Sequence, residues 1–578
     1  MNDAVPNAAI TYHPDGYDTS SQRLLMGRHA AGEGFLKAMA RYATAPKLIA
    51  YTKSPEAYEQ FRSQVNEATD GGRECDWIPP TRLQQLSDIG VLYRPDPGIS
   101  AMAWVRRYAD QRAFSLCGIT HTLSSRRVMR SLNELVTAPV QSWDAVICTS
   151  QAARTMMLSG LENYLGYMRD RFGPFDPILP QFPVIPLGVH CDEMAPTPEA
   201  KRRGQALRKA CGIEPDDIAV LYVGRLSYHA KAHPLPMYLA LQAAASRVDK
   251  RVHLILLGRA PNETIEAHLE EGAQKFCPAV RTIFLDGRNA AVHRDAWHGA
   301  DLFTILSDNI QETFGLVPIE AMAAGLPVVV SDWDGYRDTV QHGVTGFRVP
   351  TWAPPPRAGD DLALRYSLEI DTYDRYIGNV SQFTAVDVVR AAESYERLIA
   401  DSALRQTMAD DALKRAREVY DWRVVVEQYE ALWQELGARR AVDKESAPLR
   451  RDASPDPLCD DPFKLFAGHP THMLGRSTVV ALEPEADLDL FALRSEPMMN
   501  RIAAHLSLTA EQCQRLLGSL ETSGPIPVPR LLDQNQDLSG PILLRSLVWL
   551  AKLGLLRFSR PDSVDSATRE TDQPDPAA

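Results

Sequence analysis

The eight cysteines of this 578-residue sequence are scattered at 75, 117, 148, 191, 211, 277, 459 and 513, and no two form a C-x-x-C pair. That spacing provides neither a zinc site nor a redox pair, and it fits a reducing cytosol. A basic excess is also missing: 62 Lys and Arg stand against 74 Asp and Glu, a net charge of −12. Such a balance does not favour non-specific binding to nucleic acid or to anionic membrane, although a local basic cleft is compatible with it. No long charge-free apolar run occurs. The most apolar late stretch, PILLRSLVWLAKLGLLRF, contains Arg545 and Lys552 and is too short and too charged to span a bilayer. It reads as a buried helix, with membrane-surface contact the lesser reading. The first 30 residues include Asp3, Asp15, Asp18 and Arg23 and no apolar core, so no signal peptide is expected. The expected location is the cytoplasm, with the inner face of the membrane as the alternative. No short-period repeat is visible.

What is present is the composition of a multidomain globular protein: 45% hydrophobic residues and nine tryptophans, over a length that suits two or three domains. Short apolar runs recur with helix-like segments between most of them. AAITYHP, PKLIAYT, RAFSLCGITH, DAVICTS and FPVIPLGV form a first series. DIAVLYVGR, HLILLGR, RTIFLDG, DLFTILSD, PVVVSD and FRVP form a second. Short apolar runs alternating with helices predict parallel sheets covered on both faces. The fold class is therefore α/β, with two doubly wound Rossmann-like halves. The expected boundaries are 1–200 for the first and 201–418 for the second. After 418 come a segment over 419–437, a charged small-residue linker over 438–458, and a small, mainly helical or winged-helix-like module over 459–560. Residues 561–578 have the composition of a disordered tail. In the module, Thr509 followed by Gln512 reads as a capping box. Without a basic cluster, the module is expected to pack on the core, on a second copy or on a protein partner, rather than on nucleic acid.

The stretch ETFGLVPIEAMAAGLPVVVSD, 312–332, places Glu312 and Glu320 eight positions apart. ADLFTILS before it reads as a strand, so Ser307–Gly315 becomes the loop beyond a strand's carboxyl end, where ligands bind in open α/β sheets. Pro318 fits a helix first turn, Gly325 its carboxyl end, and Pro327–Val330 the next buried strand. Glu312 then lies in the loop and Glu320 in the helix. Gly315 permits close approach of backbone N–H groups to a ligand. Upstream, VLYVGRLSYHAKAHP has a strand, a glycine turn at Gly224 and two cations, Arg225 and Lys231, suited to a diphosphate. CGITHTLSS places His121 just after an apolar run. Taken singly, each of these has a plainer reading, as a solvated basic loop, a structural histidine or a dipole-favoured glutamate.

The Glu-x7-Glu spacing with its F-G-L-x-x-x-E-A-M-A-x-G-x-P-V-V tail, and G-R-L followed by a lysine, resemble the signatures of retaining GT-B glycosyltransferases, family 4 (group 1). The likeness covers about residues 1–437, firm over 217–347 and softer before 110, and VYDWRVVVEQYEALW within 419–437 resembles the family's closing helix, which returns to the first domain. It implies a GT-B fold, two Rossmann-like domains facing across a cleft, with the nucleotide-sugar donor on the second and the acceptor on the first. It further implies Glu312 at the donor sugar, Glu320 on the ribose, and Arg225 and Lys231 on the diphosphate. The backbone of Phe314, Gly315, Leu316 and Val317 would meet sugar and diphosphate. His121 would orient the sugar. For the family's glycine-rich N-terminal loop the best matches are Gly32 and Gly34, with Gly16 and Gly27 as alternatives and Arg28 as an anion contact, in a longer loop than the family's. Two further departures are Asp334 where glycine is usual and Asp338 in place of glutamate.

The implied reaction moves a sugar from a UDP-, GDP- or ADP-linked donor to a hydroxyl acceptor with retained configuration, in polysaccharide, glycolipid or other glycoconjugate synthesis. No metal or other cofactor is required in this reading, because Arg225 and Lys231 supply the positive charge. A sugar phosphorylase or sugar-phosphate synthase on the same fold, and a non-catalytic binding or scaffold protein, are the alternatives.

Overall fold

The computed structural model describes residues 7–17 and 27–559. It contains two compact units, Met1–Pro457 and Leu458–Ala578. The first holds two six-stranded parallel sheets. Strands β1 (Ala9–Thr11), β2 (Lys47–Tyr51), β3 (Glu74–Ile78), β4 (Val91–Tyr93), β5 (Ser115–Ile119) and β6 (Ala145–Ile147) are ordered β3-β2-β1-β4-β5-β6. Strands β7 (Ile218–Val223), β8 (Val252–Gly258), β9 (Arg281–Asp286), β10 (Leu302–Ile305), β11 (Val328–Ser331) and β12 (Gly346–Val349) are ordered β12-β11-β10-β7-β8-β9. Each order reverses direction once, between β1 and β4 and between β7 and β10, which opens a crevice at the carboxyl ends of those strands. This is the doubly wound, two-sheet GT-B architecture.

The β-branched runs explain the second sheet. β7, β10 and β11 are buried along their whole length, as expected of strands covered by helices on both faces. Two strands of the first sheet were not expected. β3 (ECDWI) alternates exposed and covered residues at the sheet edge, so it has no continuous apolar run, and β4 is only three residues long. FPVIPLGV, expected as a strand, is none. Pro183 and Pro186 lack the N–H that a ladder needs, and the segment makes only isolated bridges, Val184 with Cys148 and Val189 with Asp421.

In the first half, Arg106 and Asp144 form a fully buried bidentate pair, 2.6 and 2.8 Å. Asp144 also accepts from the backbone N–H of Leu116 and Gln141, which ties β5 to the approach of β6. Gly204, in helix Pro198–Ala210, lies so close to helix Ala290–Gly299 that a Cβ would stand 2.2 Å from the His298 carbonyl oxygen.

Helix Trp422–Val442 lies over the segment 419–437 and runs past it. It returns to the first half, where Tyr429 packs on Phe35 with ring centroids 5.3 Å apart and Glu430 accepts from Thr44 N at 2.7 Å. The first part of the stretch read as a linker is held too. The backbone carbonyl of Asp443 accepts from Arg112 at 2.6 Å, and those of Ser446 and Ala447 accept from Gln111. Over 443–447 the backbone carbonyls are thus bound by side chains of the first half.

The second unit is mainly helical, as expected, with one small sheet. Val479–Leu482 is the middle strand of an antiparallel sheet with Ile526–Pro527 and Leu556–Ser559. Helices Ala510–Ser523 and Gly540–Lys552 bury Leu516, Leu517, Leu520, Leu543, Leu547 and Leu550 in its core. Thr509 and Gln512 form the expected capping box. The expected tail, 561–578, and the side chain of Arg28 lie outside the described residues.

Candidate functional site

At the switch between β7 and β10, two loops meet. The loop after β7 carries Gly224, Arg225 and Lys231, and the loop after β10 carries Ser307–Gly315. They are tied together by hydrogen bonds from side chains that are almost wholly buried. Ser307 Oγ donates to the Lys231 carbonyl at 3.0 Å, Asn309 Nδ2 to the His229 carbonyl at 2.9 Å, and Asp308 accepts from His233 N at 3.2 Å. Trp333 Nε1 donates to the Asn309 carbonyl at 3.1 Å. These bonds fix the two loops relative to each other, so Lys231 and Glu312 meet without either loop being free to drift.

Lys231 Nζ lies 2.6 Å from Glu312 Oε2, with both side chains largely covered. Tyr336 OH donates to the same oxygen at 3.2 Å. Burial pushes the Glu312 carboxyl up, but the Lys231 charge and the two hydrogen bonds prevail and hold it below its ordinary value. Glu320 has a different environment. Burial raises its carboxyl to about 7, and Lys231 opposes this only in part. Asp308 is likewise raised to about 7 by burial. Asp334 is pushed well above its ordinary value by burial and by the neighbouring Glu312 charge. The Lys231 ammonium thus acts on two of these carboxyl groups, Glu312, which holds it directly, and Glu320.

The turn chemistry is specific. Gly315 has φ +89 and precedes helix Leu316–Ala323, and a Cβ there would meet the Tyr336 ring at 2.1 Å. Asp334, at the position where the resemblance led us to expect glycine, has φ +46, a left-handed conformation that Asp tolerates better than most residues. Phe314 is buried and faces Tyr420, centroids 6.3 Å apart, so only its backbone borders the site. Leu316 and Val317 form the first turn of the helix, and Glu320 lies one turn further on. Arg225 donates to the Ala230 carbonyl at 3.0 Å and to Gln311 Oε1.

The first half approaches this loop. Ser150 Oγ donates to the Thr313 carbonyl at 2.6 Å, and Asp338 accepts from Gln151 N at 2.6 Å. Asp338 therefore sits at the amino end of helix Gln151–Phe172, where a carboxylate is favoured. Tyr373 OH bridges Ser124 Oγ at 2.9 Å and Gln311 Nε2 at 3.0 Å, linking the loop after β5 to Arg225 through Gln311. His121 is partly buried just beyond β5 in that same loop. Gly32 and Gly34 lie in helix Gly27–Tyr42, where both serve packing. A Cβ on Gly32 would stand 2.0 Å from the Gly16 carbonyl oxygen, and one on Gly34 3.3 Å from Trp422 Nε1.

Asp308, Asn309 and Gln311 lie in the expected ligand loop but were not singled out, and Tyr336 and Tyr373 were not anticipated as parts of the site. Polar Ser307, Asp308 and Asn309 directly after an apolar strand were the available signal for two of them. Tyr373, 61 positions beyond Glu312 in the sequence, had none.

Among the described residues no group of three or more His, Cys, Asp or Glu could hold a metal ion, and no helix is long and apolar enough to cross a membrane. Residues 205–354 match the family model of glycosyl transferases group 1. The chain is 30% identical over 175 residues to a D-inositol 3-phosphate glycosyltransferase of Segniliparus rotundus, covering 30% of this chain and 36% of that protein. It is 28% identical over 245 residues to a phosphatidyl-myo-inositol mannosyltransferase of Mycobacterium leprae, covering 42% and 51%. The matched segments thus span from about a third to about half of these relatives' lengths. Among solved structures, Anabaena HepE in complex with UDP-glucose aligns with TM-score 0.46 at 17% identity, over 72% of this chain and 98% of that one.

Proposed function

We propose that this chain, whose residues 205–354 form a group 1 glycosyl transferase segment, moves a sugar from a nucleotide-sugar donor to a hydroxyl acceptor with retention of configuration. The observation that carries the reading is the convergence of Arg225, Lys231 and Glu312 at the β7/β10 switch, on loops fixed by buried hydrogen bonds, with Glu320 in the helix that follows and close enough to feel the Lys231 charge. The relatives named for glycosyl transfer, and the UDP-glucose complex of Anabaena HepE, support a nucleotide-sugar as the co-substrate.

In this reading the second half binds the donor and the first half presents the acceptor. The donor diphosphate draws the Lys231 ammonium partly away from Glu312, and Arg225 adds a second positive charge. Negative charge grows on the leaving phosphate during transfer, so cations already held in position stabilise the transition state more than the ground state. Glu312, ionised and freed to accept from sugar hydroxyls, orients the ring. Glu320 accepts from the ribose hydroxyls. His121 approaches the sugar from the other side of the cleft. The two cations make a metal ion unnecessary for charge neutralisation, so activity is expected to survive a strong chelator. Retention is expected to follow a front-face course in which the leaving phosphate takes the acceptor proton. Polysaccharide or another cell-envelope glycan is the expected destination of the sugar, and the cytoplasm the expected location. The 459–560 module is assigned to contact with a second copy or a protein partner.

Equilibrium binding of UDP, GDP and ADP to the full chain tests the donor side. One of the three is expected to bind, and Arg225→Ala to weaken it by about tenfold or more. Failure of all three to bind would overturn the reading.

A further inference from the structure

A concavity of about 560 Å³ opens on the first half, lined by Lys53, Trp77, Pro79, Pro80, Thr81 and Arg82. Lys53 follows the carboxyl end of β2, and the other five residues lie at or just beyond the end of β3. The hollow therefore occupies the carboxyl edge of the first sheet, the edge on which ligands of doubly wound sheets bind. It is not at the β1/β4 switch itself. Strands lie about 4.8 Å apart, so β2 and β3 set it roughly one to two strand spacings to the side.

Its chemistry is selective. Trp77 is held in place: its Nε1 donates to the Thr52 carbonyl at 2.9 Å, and its ring stacks on Tyr58 with centroids 5.8 Å apart and planes 12° apart. Pro79 and Pro80 form a stiff wall beside it. An indole whose orientation is set by a hydrogen bond and a stacked neighbour offers a fixed apolar surface to a sugar ring. The two cations are uncommitted. Among the described residues neither Lys53 nor Arg82 has a side-chain partner, although the neighbouring Asp76 carboxylate is taken by Lys47 at 2.8 Å. In a chain of net charge −12, two unpaired cations flanking one aromatic face favour an anion over a neutral ligand.

We infer that this hollow is a subsite for an acidic sugar unit of the acceptor, a ring bearing a carboxylate or phosphate, lying away from the hydroxyl that receives the new sugar. The ring rests against Trp77, and its anionic group is held by Lys53 and Arg82. The acceptor is then an anionic glycan chain of more than one unit. This inference rests on the transferase reading for its biological meaning, but the binding it requires is measurable without turnover.

The test is calorimetric titration of the full chain with hexagalacturonate, maltohexaose and glucose 6-phosphate, alongside the nucleoside diphosphates. Hexagalacturonate is expected to bind and maltohexaose not. Lys53→Ala and Arg82→Ala are each expected to weaken hexagalacturonate binding by about tenfold, the loss of one charge-assisted hydrogen bond, with the melting temperature and nucleoside diphosphate binding unchanged. Binding of glucose 6-phosphate, lost in both variants, would support the subsite and assign it to a phosphorylated unit. Equal binding of hexagalacturonate and maltohexaose, acidic binding insensitive to both substitutions, or no binding of either anionic probe would overturn it. Retained nucleoside diphosphate binding in those cases would leave the transferase reading standing. Loss of nucleoside diphosphate binding alone would overturn that reading and not the subsite.

Discussion

Lys231 and Glu312 come from loops 81 residues apart in the chain and meet at 2.6 Å. Each carries a charge that its largely covered position would otherwise penalise. Their pairing places the cation at the carboxyl ends of β7 and β10 before any donor arrives, which is the arrangement that electrostatic stabilisation of a leaving phosphate requires.

Removing one partner is expected to cost more than removing both. Lys231→Met leaves a covered carboxylate unpaired and should lower stability by about 2–3 kcal/mol, below the full cost for a deeply buried pair because both groups retain some water contact. The double variant Lys231→Met/Glu312→Gln should recover part of that stability but no transfer activity. Urea denaturation of the four proteins in the cycle measures the coupling, and purely additive losses would contradict it.

Glu320 predicts a pH dependence with a definite sign. Its folded carboxyl titrates at about 7 against an ordinary value of 4.5, so between those values the folded state holds the extra proton. Its contribution to stability therefore falls as pH rises from about 4.5 to 7. Nucleotide affinity should move the opposite way, rising through about pH 7 as the carboxylate becomes available to accept from the ribose. Asp308 titrates in the same window, so Glu320→Gln should reduce the stability slope without abolishing it, while flattening the affinity profile. Melting and binding measured from pH 5 to 8 check both.

Gly315→Ala combines two penalties: φ of +89 and a Cβ 2.1 Å from the Tyr336 ring. The left-handed backbone alone costs about 1–2 kcal/mol for a residue with a Cβ, and displacing Tyr336 removes a hydrogen bond from Glu312. The variant should lose about 2 kcal/mol or more of stability together with donor affinity. Calorimetric melting and nucleotide titration read the two losses.

Much of the second half was legible because its strands are covered on both faces, which demands continuous apolar runs such as VVVS at β11 and LFTI at β10. Gly315 and Gly325 were legible for a local reason, since both adopt positive φ at the ends of the helix between them. β3 was not, because an edge strand with exposed Glu74 and Asp76 has no such run. Tyr336 and Tyr373 were hidden for another reason. Tyrosine fits many environments, and only the fold brings the Tyr336 hydroxyl to Glu312 and the Tyr373 hydroxyl to Ser124 and Gln311. The packing roles of Gly32 and Gly34 likewise depend on Gly16 and Trp422, which no local pattern connects to them.

Asp144→Ala should be the most destabilising single change in the first half. It strands the Arg106 guanidinium in a fully buried site and removes the acceptor of two backbone N–H groups. A loss of about 3–5 kcal/mol is expected, read by urea denaturation, with nucleotide affinity unchanged in the surviving folded fraction, since the partners of this pair all lie in the first half.

The central claim is tested most directly by incubating the full chain with a panel of UDP-, GDP- and ADP-sugars and an acidic oligosaccharide acceptor, following donor consumption by mass and the anomeric proton of the product by NMR. The account predicts consumption of one donor, a product with the donor's anomeric configuration, and a fall of about 100-fold or more in Glu312→Gln. Consumption of no donor, an inverted product, or full activity in Glu312→Gln would contradict it.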